Sequence, residues 1–112
     1  MITSNAKNVV LSMDIEDWYH LDYFNSSDCT KNYSFLDGID IYLQILEEHN
    51  VPSSFFVLGE IAQSLSSDLN KIINNKNDIG SHGWDHRRPI TMSNAEFKDS
   101  LIKSKQTIEN II

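Results

Sequence analysis

The sequence has little cysteine, proline, glycine and positive charge. It contains one cysteine, two prolines and four glycines in 112 residues, and nine basic residues face sixteen acidic ones, for a formal net charge of −7. Because Cys29 has no second cysteine, an internal disulfide and a zinc site of several thiolates are excluded, so any metal site must use histidine and carboxylate. An acidic surface repels nucleic acid and anionic membranes. We therefore expect neither as a partner.

Long hydrophobic runs are also missing. The apolar stretch behind the polar N-terminus lasts only from Val9 to Leu11, which is too short for the core of a signal peptide. No run approaches the roughly 20 apolar residues that a membrane-spanning helix needs. The sequence therefore predicts no membrane insertion, a cytoplasmic location and, from its length, a single domain over residues 1–112.

The pattern of apolar residues predicts strands that alternate with helices. Strands are expected at Val9–Met13, Ser53–Leu58 and Asp78–His82, the second apolar on both faces as in a parallel sheet. Helices are expected between and after them, over residues 35–48, about 60–65, about 68–75 and from about 94 onward. This order predicts a parallel sheet covered by helices, with any site at the carboxyl ends of the strands.

Two of the helices have further features. In the first, the stripe of Phe35, Ile39, Tyr42 and Leu46 is widened by other apolar residues, so we expect this helix to be heavily buried. In the last, Ser93 and Glu96 form a capping-box pattern at the start of an amphipathic helix.

Two chemically reactive segments fall at the ends of predicted strands. Asp14, Glu16 and Asp17 follow the first strand, and His82 and His86 follow the third. Taken alone, the carboxylates are better explained as a solvated turn, and the histidines as exposed loop residues. Taken together, one carboxylate and two histidines would leave open positions on a metal ion, and a second carboxylate could accept a proton from bound water.

The segments around these residues also resemble a known family. Residues 11–20, 52–59 and 78–86 are similar, in this order, to motif segments of the polysaccharide deacetylases, carbohydrate esterase family 4. The first has the variant form Asp-x-Glu-Asp-aromatic, and the resemblance runs from about Val9 to the end. It implies an α/β fold of parallel strand–helix repeats that forms part of a distorted (β/α) barrel.

The resemblance also implies roles for individual residues. Asp14 matches the catalytic base, and His82 and His86 match ligands of a divalent metal, for which zinc is the expected ion. The third ligand is either Glu16 or Asp17. We favour Asp17, because aspartate is the residue that the family usually has there.

The activity implied is metal-dependent hydrolysis that removes N-acetyl groups from an acetamido sugar in a polysaccharide or its precursor. Trp18 and Tyr19 are expected to contact this carbohydrate, although packing in the core explains them equally well. Two alternatives remain open, namely a related hydrolase of a small cyclic amide, and a non-catalytic truncated fragment or interaction module. Because the later family motifs have no counterpart here, we expect little activity from these residues alone, and self-association through the exposed edge of the third strand.

Overall fold

A three-stranded parallel sheet organises the part of the chain that the structure, a computed structural model, describes: residues 7–24 and 32–112. Its strands are β1 (Ser12–Ile15), β2 (Ser54–Val57) and β3 (Asp78–Ser81), in the order β1-β2-β3. Ile15 is paired with Val57 and Val57 with Ser81, so the three strands end at the same level. Cys29 and the middle of the loop after β1 lie outside the described residues.

Helices follow each strand, as predicted. They are α1 (Ile39–Glu48), α2 (Gly59–Ala62), α3 (Ser66–Asn74) and α4 (Asn94–Glu109), and short 3-10 turns lie at Trp18–His20, Asp22–Phe24, Phe35–Gly38, Gln63–Leu65 and Pro89–Thr91. The predicted capping box at the start of α4 is confirmed, because the Ser93 side chain accepts from the Glu96 amide and the Glu96 carboxylate from the Ser93 amide. Among the described residues, no helix is long and apolar enough to cross a membrane.

The hydrophobic core lies between one face of the sheet and the helices. The inward side chains of β1 and β2, Ile15, Phe55 and Val57, have no exposed surface. They belong to one cluster with buried residues of the helices, namely Ile39, Leu43, Leu46, Ala62, Leu69, Ile72 and Ile108. This cluster fixes the strands, and with them the edge at which the chemically reactive segments begin.

Three details of the prediction were wrong. Val9 and Val10 lie outside β1 and are more than four-fifths exposed, since the ladder with β2 begins only at Ser12. Phe56 is 38% exposed, so β2 is buried on one face rather than two. The first helix is not heavily buried either, because only one stripe of α1 contacts the core and Ile41 and Ile45 are exposed.

Candidate metal centre

Glu16, His82 and His86 converge at the carboxyl edge of the sheet. One Glu16 carboxylate oxygen, Oε2, lies 3.1 Å from Nε2 of His82 and 3.0 Å from Nε2 of His86. All three ligand atoms lie within 4.8 Å of one another, and all three residues are half-buried. The two segments that the sequence analysis singled out therefore meet, and each contributes to one group.

The alternation of side chains along β1 explains why Glu16 belongs to this group. Successive residues of a strand point to opposite faces. Ile15 is fully buried in the core, so Asp14 and Glu16 lie on the opposite face, while Asp17 lies on the core side and is 3% exposed. The alternation of side chains on either side of the buried Ile15 is the sequence signal that could have identified Glu16.

Asp17 has a different set of partners, so the structure does not support our choice of Asp17 as the third ligand. Its Oδ1 accepts hydrogen bonds from the backbone amides of Trp18 and Phe35, both at 3.0 Å, and its Oδ2 accepts one from the Ser34 hydroxyl. A second contact holds the same turn, because the Asp17 amide donates to Nδ1 of His20 at 2.8 Å. Asp17 thus ties the loop after β1 to the turn that precedes α1.

Asp14, the predicted base, lies beside the group. Its Oδ2 is 3.8 Å from Nε2 of His82, and its side chain is about half exposed. A carboxylate in this position can receive a proton from solvent or substrate without displacing any of the three candidate ligands.

The loop from His82 to His86 is not helical, as expected from its glycine and the proline behind it. Gly83 has a φ of +86°, and His86 has a φ of +65°, a region that non-glycine residues seldom occupy. The first amides of α2 hold the loop, since Gly59 donates to the Gly83 carbonyl at 2.9 Å and Glu60 to the Trp84 carbonyl at 3.0 Å. Such unfavourable backbone at a cluster of polar side chains is typical of functional sites.

Trp18 and Tyr19 have different environments. Trp18 is 7% exposed, its indole N–H donates to the Tyr33 carbonyl at 3.1 Å, and its ring stacks on Tyr33 with centroids 5.5 Å apart. It anchors the loop and has no free face for a sugar, so the structure does not support it as a substrate contact. Tyr19 is only half-buried and lines a shallow recess with Asp17 and Tyr33. Burial, followed by the charges of Asp17 and Glu60, raises the pKa of Tyr19 above 10.0.

Two larger recesses differ in their relation to the group. One of about 290 Å³ borders both histidines and has mainly apolar walls, which include Trp84, Met92 and Leu101. The other, of about 600 Å³, lies at the amino ends of β2 and β3, next to Pro52 and Asn77. Of these two recesses, only the smaller borders the candidate metal ligands, through His82 and His86.

The group of Glu16, His82 and His86 fits a divalent metal ion. One carboxylate and two imidazoles are a ligand set that zinc and similar ions accept, and three protein ligands leave a position open as in catalytic sites. Ligand atoms about 2.0–2.1 Å from a tetrahedral ion are about 3.3 Å apart, close to the oxygen–nitrogen separations of 3.0 and 3.1 Å here. The two imidazole nitrogens lie within 4.8 Å of each other.

The family model described as polysaccharide deacetylase matches residues 31–112. The chain therefore belongs to the polysaccharide deacetylase family, which confirms the resemblance. The match includes the motif segments at 52–59 and 78–86, and the segment at 11–20 lies outside it.

Individual relatives agree with this. A peptidoglycan-N-acetylglucosamine deacetylase of Bacillus cereus is 29% identical over 83 residues, which cover 70% of this chain and 30% of that protein. The structure of the peptidoglycan deacetylase PdaC from Bacillus subtilis matches with a TM-score of 0.73 and 22% identity over 98% of this chain and 46% of that one. A CE4 family pseudoenzyme from Bacillus anthracis matches with a TM-score of 0.73 and 23% identity over 96% and 32%.

These matches define how much of the family's fold is present. The chain spans less than a third of the length of the curated relatives that it matches. The predicted fold class, parallel strand–helix repeats that form part of a (β/α) barrel, is confirmed.

Proposed function

We propose that the protein is a metal-dependent hydrolase that removes N-acetyl groups from an acetamido sugar in a polysaccharide such as peptidoglycan. The observation that carries this proposal is the meeting of Glu16, His82 and His86 at one edge of the sheet, with Asp14 beside them. The relative from Bacillus cereus, a peptidoglycan-N-acetylglucosamine deacetylase, supports this choice of substrate.

Each residue of the site has a distinct role in this proposal. Glu16, His82 and His86 would hold the ion, with zinc as the expected one. Such an ion, when bound, polarises the amide carbonyl and lowers the pKa of water. The Asp14 carboxylate accepts the proton of the attacking water, and its half-exposed position leaves it accessible to substrate.

The surroundings of the group suit the rest of such a substrate. Trp84, Met92 and Leu101 give the adjoining recess apolar walls that fit an acetyl methyl group. Tyr19, which is half-buried in the 3-10 turn after β1, is the candidate for contact with the sugar ring. A tyrosine hydroxyl is protonated at neutral pH, so it can both donate and accept hydrogen bonds.

Release of acetate tests this function. The full-length protein, loaded with zinc, should release acetate from N-acetylglucosamine oligomers or peptidoglycan. Asp14→Asn should lower kcat about 10²- to 10⁴-fold, the usual contribution of a general base, while zinc stays bound. Asp40→Asn, which removes an exposed carboxylate of α1, is the matched control and should keep full activity. An Asp14→Asn variant as active as this control would contradict the proposal.

Two other functions are separated by the same assay. The fold alone does not establish catalysis, since one of its structural matches is described as a pseudoenzyme. Zinc binding without acetate release, but with hydrolysis of small cyclic amides, would indicate the related hydrolase. Zinc binding without hydrolysis of either substrate class would indicate a non-catalytic member.

Self-association of the 112 residues is a separate proposal. Within the described part of the chain, β3 pairs with β2 alone, which leaves the other edge of β3 open to a further strand. Sedimentation of the 112-residue chain should show a concentration-dependent dimer, and a monomer at all concentrations would contradict this.

The cytoplasmic location stays a prediction.

A further inference from the structure

Two serine hydroxyls enclose the peptide groups of Gly83, the residue that follows His82. The Gly83 amide donates to Oγ of Ser81 at 3.1 Å, and Oγ of Ser104 donates to the Gly83 carbonyl at 2.9 Å. The two hydroxyl oxygens are 2.6 Å apart. Ser81 ends β3, whereas Ser104 lies on α4 and is fully buried, so residues from two elements meet at the two peptide groups of one residue.

The direction of every hydrogen bond in this ring follows from the number of protons. A serine hydroxyl has a single proton to donate. Because Ser104 gives its proton to the Gly83 carbonyl, Ser81 must be the donor in the bond between the two hydroxyls. The chain of donors therefore runs from the Gly83 amide through Ser81 and Ser104 back to the Gly83 carbonyl. A closed ring of this kind fixes both peptide planes of Gly83 at once.

The ring is itself held rigidly. A Cβ at Gly59 would lie 2.9 Å from the Ser104 Cα, so the backbones of α2 and α4 approach each other closely at this point. The Gly59 amide also donates to the Gly83 carbonyl, which thus accepts two hydrogen bonds. Ser104 therefore cannot move closer to α2, which is hydrogen-bonded to the same carbonyl.

We propose that Ser81 and Ser104 are positioning residues that hold the loop from His82 to His86 in the geometry required for metal binding. Gly83 sets the direction in which the chain leaves His82, and its φ of +86° has no support from a side chain of its own. The ring supplies that support from β3 and α4. This inference rests on the proposed metal site, and it assigns no contact with substrate or metal to either serine.

Zinc affinity of the full-length protein, measured by calorimetry, tests this role. Ser104→Ala and Ser81→Ala should each weaken binding about 10- to 100-fold, the usual effect of losing a partner that orients a metal ligand. The double variant should bind little more weakly than the weaker single variant, because both changes open the same ring. Ser81→Thr keeps the hydroxyl on an exposed strand position and should bind zinc like the wild type.

Ser53→Ala is the matched control. Ser53 is also buried and also donates to a backbone carbonyl, that of Leu11 at 3.0 Å, but it lies at the amino end of β2. Its loss should lower the melting temperature by a similar amount and leave the zinc affinity unchanged. If Ser104→Ala lowered the melting temperature without weakening zinc binding more than Ser53→Ala does, the positioning role would be overturned.

A measurement without metal separates this inference from the proposed function. The imidazole NMR signals of His82 and His86 in the metal-free protein should shift or broaden in Ser104→Ala and stay unchanged in Ser53→Ala. If these signals respond while the wild type binds no zinc, the proposed function fails, but the two serines still position the loop from His82 to His86. If the wild type binds zinc and the signals do not respond, the positioning role is refuted and the metal site remains.

Discussion

Replacing Asp17 and Glu16 one at a time should separate a structural carboxylate from a metal ligand. The two residues are neighbours of the same charge, but Asp17 is 3% exposed and bonded to Ser34 and two amides, whereas Glu16 faces His82 and His86. Asp17→Asn should therefore lower the free energy of unfolding. Glu16→Gln should instead abolish zinc binding and change the stability of the metal-free protein by about 1 kcal/mol or less.

The size of the Asp17→Asn effect follows from the three hydrogen bonds. The asparagine oxygen can keep the Trp18 and Phe35 amides, but these bonds lose their charge assistance, at a cost of about 1 kcal/mol each. The new amide group points a donor at the Ser34 hydroxyl, whose own proton then lacks an acceptor, and this costs at least about 1 kcal/mol more. The total of about 3 kcal/mol corresponds to a fall in Tm of roughly 12 °C for a chain of this length.

Thermal unfolding of the metal-free variants, followed by zinc titration at a temperature where all are folded, measures both effects. We expect Asp17→Asn to melt about 12 °C lower and still bind zinc, with the magnitude set by the hydrogen bonds above. An Asp17→Asn variant that melts like the wild type but no longer binds zinc would refute this reasoning and restore Asp17 as the ligand.

Three further predictions concern the frame of the site. Ser93→Ala should lower the free energy of unfolding by about 1 kcal/mol in a urea titration, because α4 loses its cap. Hydrogen bonds from the Ser93 backbone and side chain hold the pKa of Glu96 below its usual 4.5, so its stabilisation is present above that pH and is lost as the pH falls below it. Ser93→Ala removes only the side-chain hydrogen bond, so an NMR titration of Glu96 should show a pKa closer to 4.5 in this variant but still below it. Gly59→Ala should lower the free energy of unfolding by about 1–3 kcal/mol in a thermal melt, because its Cβ would lie 2.6 Å from Cε3 of Trp84. A variant as stable as the wild type would show that the loop can move away from the new Cβ. Tyr19 should ionise above pH 10.0 in an ultraviolet titration, because burial raises its pKa. The protonated hydroxyl therefore stabilises the fold below pH 10, and this stabilisation is lost as the pH rises through the raised pKa. A midpoint at pH 10.0 would contradict the burial of this side chain.

The order of strands and helices could be predicted from the sequence because local patterns determine it. The apolar run of β2 and the capping box at Ser93 are each contained in a few residues. The start of β1 could not be predicted in this way. Val9 and Val10 have high β-propensity, but the strand begins at Ser12, where pairing with β2 begins, and pairing depends on residues more than forty positions away.

The candidate site could be predicted in part for the same reason. His82 and His86 lie close in sequence, so their spacing and the glycine between them indicated a loop that turns both rings to one side. The choice between Glu16 and Asp17 depended on which face of β1 meets the core. The buried Ile15 contains that information, but our choice of Asp17 rested on the family's usual aspartate alone. The ring around Gly83 could not be predicted, because the sequence shows Ser104 only as one more position of an amphipathic helix.

The most direct test of the metal centre is a crystal of the protein grown with zinc and measured at the zinc absorption edge. We expect one anomalous peak within about 2.0–2.2 Å of a Glu16 carboxylate oxygen and of Nε2 of both His82 and His86. A peak bound to the Asp17 carboxylate, or no peak near the two histidines at saturating zinc, would contradict the account.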